Sequence, residues 1–234
     1  MSLSRFADRR LQIVSRLAQG EAGGGHVEAC ILAGATLSGL AAYAWPGKIG
    51  DHNRFAEAWV QFAEPALSSV RVSLPLLIDH LRKKGDLEEA RILERQRVGM
   101  FGPGYSCRVV TGEDVDLTEQ EVRSLCPSVK TAELRKFSYP SVFYSEVRSS
   151  AVHEYQFSDR ATNWPMTTRD AGVSYSNLLV DGRTERQIYF HIPWLISVIS
   201  SIANNMDRAP VQGSLPVPSS WWREGQLFGC QTPC

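Results

Sequence analysis

The sequence lacks the paired cysteines that would form a zinc knuckle or a closed disulfide framework. Its 234 residues contain an odd number of cysteines with no CxxC pair: Cys30, Cys107, Cys126, Cys230 and Cys234. We therefore expect reduced thiols and a cytoplasmic location. Oxidation of Cys230 together with Cys234 is the alternative that their closeness in the chain leaves open.

The chain also lacks an excess of charge of either sign. Its 25 Lys and Arg residues balance its 25 Asp and Glu residues, which excludes a long polybasic arm for nucleic acid. Any contact with RNA or DNA must therefore use a local patch. The apolar runs stay short of the roughly 20 residues that cross a bilayer, and no signal-like apolar block opens the chain. We expect a soluble, non-exported protein with no membrane partner.

Several common catalytic and cofactor motifs are missing as well. The sequence has no phosphate-binding loop with a Lys, no dinucleotide GxGxxG and no Gly-x-Ser-x-Gly elbow, and the glycines at 23–25 predict a turn. His26, His52 and His80 lack the partner four residues away that a helical zinc site uses. We therefore expect neither a metal nor a cofactor.

The apolar pattern predicts a mainly α-helical chain. The 43% hydrophobic content suits a packed core, and residues 1–206 are expected to form one domain. Helical periodicity and capping residues predict helices over 5–19, 26–44, 51–63, 74–84 and from Asp86 onward. Residues 98–137 are predicted to be an irregular insertion, with a short strand near Val109 and a helix over 118–125.

The second half of the chain predicts two helices that flank a hairpin. Pro140 opens a helix that extends to Tyr155 or Phe157, with Phe143, Val147, Ala151 and Tyr155 on its core side. Residues 173–191 predict a β-hairpin around Asp181-Gly182. Pro193 opens an apolar helix to Met206, and the two helices are expected to contact each other. The tail 207–234, with its prolines and tryptophans, is expected to pack on the body.

The most informative segment of the sequence is an Arg-x4-His pair, Arg148 and His153, on the helix that Pro140 opens. Roughly one Arg-His pair with a gap of four to six residues is expected by chance in this composition, and a second pair, Arg186 and His191, falls on a predicted strand with its side chains on opposite faces. On a helix, Arg148 and His153 are separated by about 140° and about 7.5 Å.

The surface that joins this pair is predicted to be small and polar, because Ser149 lies between the two residues and Ser145 lies one turn earlier. A neutral-range imidazole there can take or give the proton of a ribose hydroxyl, and a guanidinium can hold the scissile phosphate. The alternative is a surface Arg and a buried, hydrogen-bonded His on an ordinary core helix.

Together with its surroundings, this segment resembles the HEPN (higher eukaryotes and prokaryotes nucleotide-binding) superfamily, in particular an uncharacterised bacterial branch. The resemblance rests on the Arg-Ser-Ser-Ala-Val-His-Glu run, on Tyr175-Ser-Asn177 and Tyr189-Phe190, and on the apolar last helix. It covers residues 26–96 and 138–206 and is specific at 144–154. The fold it implies is a helical bundle with one small β-hairpin before the last core helix.

The resemblance also implies a function. Many members of the superfamily are metal-independent endoribonucleases in toxin or anti-phage settings, and two Arg-x4–6-His motifs meet at a cleft between two copies. It implies Arg148 and His153 as the catalytic pair, with Ser145 and Ser149 lining the groove. The implied partners are a second copy, RNA or a nucleotide, and an antitoxin protein. Two alternatives remain open: a non-catalytic nucleotide- or partner-binding module, and an oligomerising structural protein.

Overall fold

The protein is mainly helical and carries one small antiparallel sheet, as its computed structural model shows for residues 2–46, 50–67, 70–96, 109–164, 171–180 and 183–209. The first five helices are α1 Leu3–Ala18, α2 His26–Ala44, α3 Asp51–Phe62, α4 Leu74–Lys84 and α5 Leu87–Gln96. Then come β1 Val110–Thr111, α6 Gly112–Val115, α7 Glu119–Leu125 and α8 Thr131–Lys136. The last elements are α9, a continuous helix over 139–154, and β2 Val173–Val180, β3 Arg183–Phe190 and α10 Ile192–Arg208. The mainly helical class and the hairpin are thus confirmed.

Local signals account for the ends of α1 and α4. Ser2 precedes α1 and its side chain accepts a hydrogen bond from the backbone N–H of Arg5. Pro75 is the second residue of α4, and the residue after this helix is Gly85, which has a φ of 96°. These residues start or stop a helix through their own chemistry, so these helix ends are readable without tertiary information.

Helix α2 is the central helix of the core. Its mean hydropathy of 1.5 makes it long and apolar enough, by length and composition, to cross a membrane. In this structure α2 packs against α1, α3 and α10, and 56% of that apolar window is buried. Its apolar character is therefore consistent with a core helix of a soluble protein.

The segment after α5 is more regular than the sequence predicts. The helix over 118–125 is confirmed as α7, including the capping box between Thr118 and Glu121. The prediction missed α6 and α8 because helices this short have too few turns to show a period. The strand predicted near Val109 is present as β1, which pairs with β2, whereas residues 97–108 lie outside the described part of the chain.

A buried carboxylate fastens this segment to the rest of the protein. Asp116 is fully buried, and its side chain accepts hydrogen bonds from the hydroxyls of Tyr139 and Tyr175, each at 2.6 Å, and from the backbone N–H of Leu74 at 2.9 Å. Burial raises the pKa of Asp116 from 3.8 to about 7, and the hydrogen bonds oppose that rise only in part. Asp116 therefore joins α4, α9 and the sheet at one point.

The raised pKa of Asp116 predicts a specific pH dependence of stability. Between pH 3.8 and 7 the native carboxyl holds its proton more tightly than the unfolded one, so this group's contribution to stability falls as pH rises through that window. Asp116→Asn removes this titration. From pH 4 to pH 7, we expect the free energy of unfolding of the wild type, measured in urea, to fall by on the order of 2–4 kcal/mol relative to that of Asp116→Asn. A difference between the two proteins that does not change with pH would contradict this prediction.

The sheet is built around the predicted hairpin. Strands β2 and β3 pair antiparallel from Val173 opposite Phe190 to Val180 opposite Arg183, and β1 adds a short third strand next to β2. The register leaves two residues between the strands, as a tight turn requires, although the predicted Asp181-Gly182 turn lies outside the described residues. Helix α10 begins directly after β3.

Helix α9 touches α10 at one end. The rings of Tyr139 and Trp194, near the starts of the two helices, lie 6.0 Å apart, which agrees with the predicted contact. Most of the apolar side of α9 instead packs on α2 and α3, which the sequence analysis did not anticipate. The tail predicted to pack on the body lies outside the described residues from position 210 onward.

Candidate functional site on helix α9

Helix α9 has an unusual wide section where the Arg-x4-His pair begins. Its first section, Tyr139–Val142, is α-helical, the next, Phe143–Ser149, is π-helical, and the last, Ser150–Glu154, is α-helical again. A π turn holds more than four residues, so positions four apart stay aligned there instead of drifting around the helix. Such sections are uncommon and often occur at functional sites.

The wide section explains the straight apolar stripe of α9. Phe143, Val147 and Ala151 are all at most 2% exposed, as the sequence predicts. Tyr155, predicted as the fourth member of the stripe, is 66% exposed. It follows the last helical residue and has a left-handed backbone with a φ of 56°, so its side chain leaves the stripe.

The side chain of Arg148 is held on the inner side of α9. Its Nη2 lies 3.2 Å from Oδ2 of Asp51, and its Nη1 donates a hydrogen bond of 3.3 Å to the hydroxyl of Tyr144. That hydroxyl donates in turn to Asp51 over 2.8 Å. The aliphatic stem of Arg148 lies against Gly34 of α2, where a Cβ would come within 2.6 Å of its Cγ. The guanidinium is therefore fixed in direction and only 19% of the side chain is exposed.

A neutral histidine completes this inner cluster. The ring of His52 stacks on that of Tyr144 at 4.3 Å, nearly parallel. The pKa of His52 is lowered to about 4, chiefly by burial; Asp51 opposes this change and Arg148 contributes to it. Burial and the hydrogen bond to Asp51 raise the pKa of Tyr144 to about 12. At neutral pH the cluster consequently contains two uncharged rings and the Asp51 carboxylate, which pairs with the guanidinium of Arg148 and, over 3.1 Å, with that of Arg54.

His153 lies on the opposite, outer side of the same helix. Its side chain is exposed, as is Ser145, while Ser149 is half-buried. Val152, immediately before the histidine, is an apolar side chain that is 48% exposed. The alternative of a surface Arg with a buried His is thus the reverse of what the structure shows, because Arg148 is the more buried of the two.

The second Arg-x4-His pair in the sequence is not assembled by the fold. Arg186 interacts electrostatically with Asp79 and Tyr175, whereas Nε2 of His191 lies 2.8 Å from the hydroxyl oxygen of Ser174. That Ser-His contact has the geometry of an activated nucleophile, but Ser174 is fully buried and no substrate atom can reach it. We therefore assign the contact to the packing of the sheet.

A histidine cluster that the sequence analysis missed lies at the start of α2. The ring of His26 stacks on that of Tyr189 with centroids 4.5 Å apart, and the ring of His191 meets Tyr189 edge-on at 4.8 Å. Burial lowers the pKa of both His26 and His191 to about 4. These three residues line one cavity with residues from α1 and α10. No spacing rule connects positions 26, 189 and 191, because only the fold brings them together.

The remaining titratable groups show no obvious cation site. Among the residues that the structure describes, no three His, Cys, Asp or Glu side chains form a group that would hold a metal ion. Two of the cysteines, Cys30 and Cys126, are buried free thiols, and burial raises the pKa of both. The other three cysteines lie outside the described residues.

Known proteins add no further information about this site. No protein-family model matches the chain, and no curated protein or solved structure matches it either. The functional argument therefore depends on the geometry of α9 and its surroundings.

Proposed function

We propose that this protein is a metal-independent endoribonuclease of the HEPN type that acts as a cytoplasmic homodimer in a toxin or anti-phage setting. His153 is the general acid and base, and Arg148 holds the phosphate and the charge that develops on it. Ser145 and Ser149 line the groove between them. RNA is the substrate, and an antitoxin protein is the expected regulator.

The observation that carries the proposal is the contrast between the two members of the pair. His153 is exposed to solvent, where it can exchange protons with a bound strand, while Arg148 is oriented from below by Asp51 and Tyr144. A preoriented guanidinium needs little reorganisation when charge develops on a phosphate. An arginine that served only as a surface charge would not need this support.

The reaction that these groups can catalyse is an internal transesterification. An imidazole removes the proton of a ribose 2′-hydroxyl, the 2′-oxygen attacks the adjacent phosphorus, and the bond to the 5′-oxygen breaks. A second imidazole protonates that leaving oxygen, so the products are a 2′,3′-cyclic phosphate and a 5′-hydroxyl. One imidazole in each role requires two copies of His153.

The outer face of α9 supports such a dimer. Ser145 and Ser149 are small enough for two helices to approach closely, and the exposed side chain of Val152 gives the same face an apolar contact. A twofold axis through this face places both His153 side chains beside one groove, which Arg148 approaches from the inner side of α9. The groove then carries local positive potential although the whole chain is neutral.

The proposal is tested by incubating the purified chain with single-stranded RNA in EDTA. We expect cleavage with 2′,3′-cyclic phosphate ends, and a loss of about 10²–10⁴-fold in rate for His153→Ala. Arg148→Lys keeps a cation beside Asp51 but loses the planar fork, so we expect a loss of about 10²-fold or more. Glu154→Ala, one position after the histidine and exposed like it, is the matched control and should keep full activity.

Two results would contradict the proposal. Cleavage that His153→Ala leaves unchanged would exclude this histidine and point to a contaminating nuclease. An absence of cleavage combined with thermal stabilisation by nucleotides would favour the non-catalytic binding module, since a ligand that binds the native state raises the unfolding temperature by mass action.

A further inference from the structure

The cavity beside His26 has the size and position of a small-ligand site. It lies among the end of α1, the start of α2, the end of β3 and the start of α10, and its volume of about 550 Å³ is within the usual range for such sites. Its polar lining consists of Ser15, Gln19, His26, Asn163, Tyr189 and His191. Apolar lining comes from the first residues of α10 and from Ala18.

The lining of this cavity carries no formal charge at neutral pH. The side chains that the structure places on its wall include no Asp, Glu, Lys or Arg. Its two histidines are neutral, because both pKa values are lowered to about 4, that of His191 by burial and that of His26 by burial and the nearness of His191. A phosphate or carboxylate would therefore find no counter-charge, and a buried cation would find no carboxylate.

The chemistry of the wall suits a planar, uncharged ligand with hydrogen-bonding edges. The amides of Gln19 and Asn163 each carry two donor hydrogens and one acceptor oxygen, whereas the ring nitrogens of His26 contact Tyr189 and Cys30 and Nε2 of His191 contacts Ser174. Tyr189 and His26 add aromatic surface. Unstacked nucleobases are recognised by this combination of aromatic contact and paired donors and acceptors.

The cavity is joined to the end of the helix that carries His153. The hydroxyl of Tyr155, two residues after His153, donates a hydrogen bond to the carboxylate of Glu28 near the start of α2. Two residues further on, the ring of Phe157 meets the ring of His26 edge-on at 5.8 Å. A base in the cavity would thus lie at the same end of the molecule as the exposed imidazole.

We infer that this cavity, which we call the His26 cavity, is a binding site for an unpaired nucleobase. The inference rests on the proposed function in one respect, namely that the base belongs to the RNA strand that is cut beside His153. The cavity recognises the base through hydrogen bonds to the edges of the base, and the phosphates of the strand stay outside the cavity. The site therefore helps to determine which nucleotide lies next to the cleaved bond.

The direct test is binding of the four ribonucleosides by isothermal titration calorimetry, with ribose 5-phosphate as the comparison. We expect at least one nucleoside to bind and ribose 5-phosphate not to bind. Ala18→Trp fills the mouth of the cavity from an exposed position and should weaken nucleoside binding by about tenfold or more. Gln12→Trp adds the same side chain to an exposed position of α1 away from the lining and should leave binding unchanged. Gln19→Ala, which removes one amide, should also weaken binding.

The same variants separate this inference from the proposed function. Ala18→Trp should raise KM for RNA while the dimer and the cyclic-phosphate product persist. Failure of all four nucleosides to bind, or equal binding by wild type and Ala18→Trp, would overturn the inference even if RNA is cleaved. Nucleoside binding that is sensitive to Ala18→Trp, in a protein that cuts no RNA, would support the cavity and overturn the proposed function.

Discussion

Replacing Gly34 by alanine is expected to damage both stability and the proposed RNA cleavage, although Gly34 lies on α2 and takes no part in the proposed chemistry. A Cβ at this position would approach Cγ of Arg148 within 2.6 Å and its Cβ within 3.2 Å. Atoms this near the backbone of α9 cannot simply swing away, so either α9 shifts or Arg148 leaves Asp51. We expect the free energy of unfolding in urea to fall by about 1–3 kcal/mol and the cleavage rate to fall by at least about tenfold.

The control for this variant lies on the same helix. Gly39→Ala would place a Cβ 3.4 Å from Cζ of Phe6, an ordinary contact with the far end of a flexible side chain. Because alanine also favours the helical backbone, Gly39→Ala should be neutral or more stable by up to about 1 kcal/mol. Equal stability and equal activity of the two variants would show that the contact between Gly34 and Arg148 does not position the guanidinium.

Substituting tryptophan for Ser149 is expected to dissociate the proposed dimer and to abolish cleavage together. The indole would occupy the strip over which two α9 helices meet, and a monomer has only one copy of His153 for the two proton transfers. Sedimentation equilibrium at micromolar concentration should give about twice the chain mass of 26.0 kDa for the wild type and the single-chain mass for Ser149→Trp.

Glu88→Trp is the matched control for the dimer, because Glu88 is a strongly exposed residue of α5. It should remain dimeric and active. A wild-type monomer that cuts RNA would contradict the shared groove, and it would leave a single Arg148-His153 pair to explain the activity. A Ser149→Trp variant that stays dimeric with full activity would place the interface elsewhere.

Much of the fold could be predicted from the sequence because its helix ends are set locally. Ser2 and the Thr118-Glu121 capping box each act on backbone groups within a few residues, so their effect is visible in the sequence. The hairpin was predictable for the same reason, since strand alternation and a turn signal lie next to each other. Helices α6 and α8 were not, because their four and six residues are held by tertiary contacts rather than by a periodic pattern.

The candidate site could be predicted only in part. The sequence identifies the helix and places Arg148 and His153 on different sides of it. It does not show that Asp51, almost a hundred positions earlier, pairs with Arg148. The His26 cavity could not be predicted from the sequence, because its walls come from four elements and neither His26 nor His191 has another histidine nearby in the chain. In both cases the missing information is which distant residues meet.

The π-helical section of α9 amounts to one extra residue accommodated within a helix. Residues before it pack on α3 and, through the ring of Tyr139, on Phe190 of β3, whereas residues after it are turned as if one position were missing from a regular helix. Deletion of one residue within Phe143–Ser149 would let regular α-helical bonding resume and would leave the direction of His153 relative to Tyr139 nearly unchanged, whereas regular α-helical bonding of the full-length segment would rotate His153 by about 100°. The number of residues between an arginine and a histidine is therefore an incomplete description of such a motif. The local helix type also decides which way the histidine faces relative to the core.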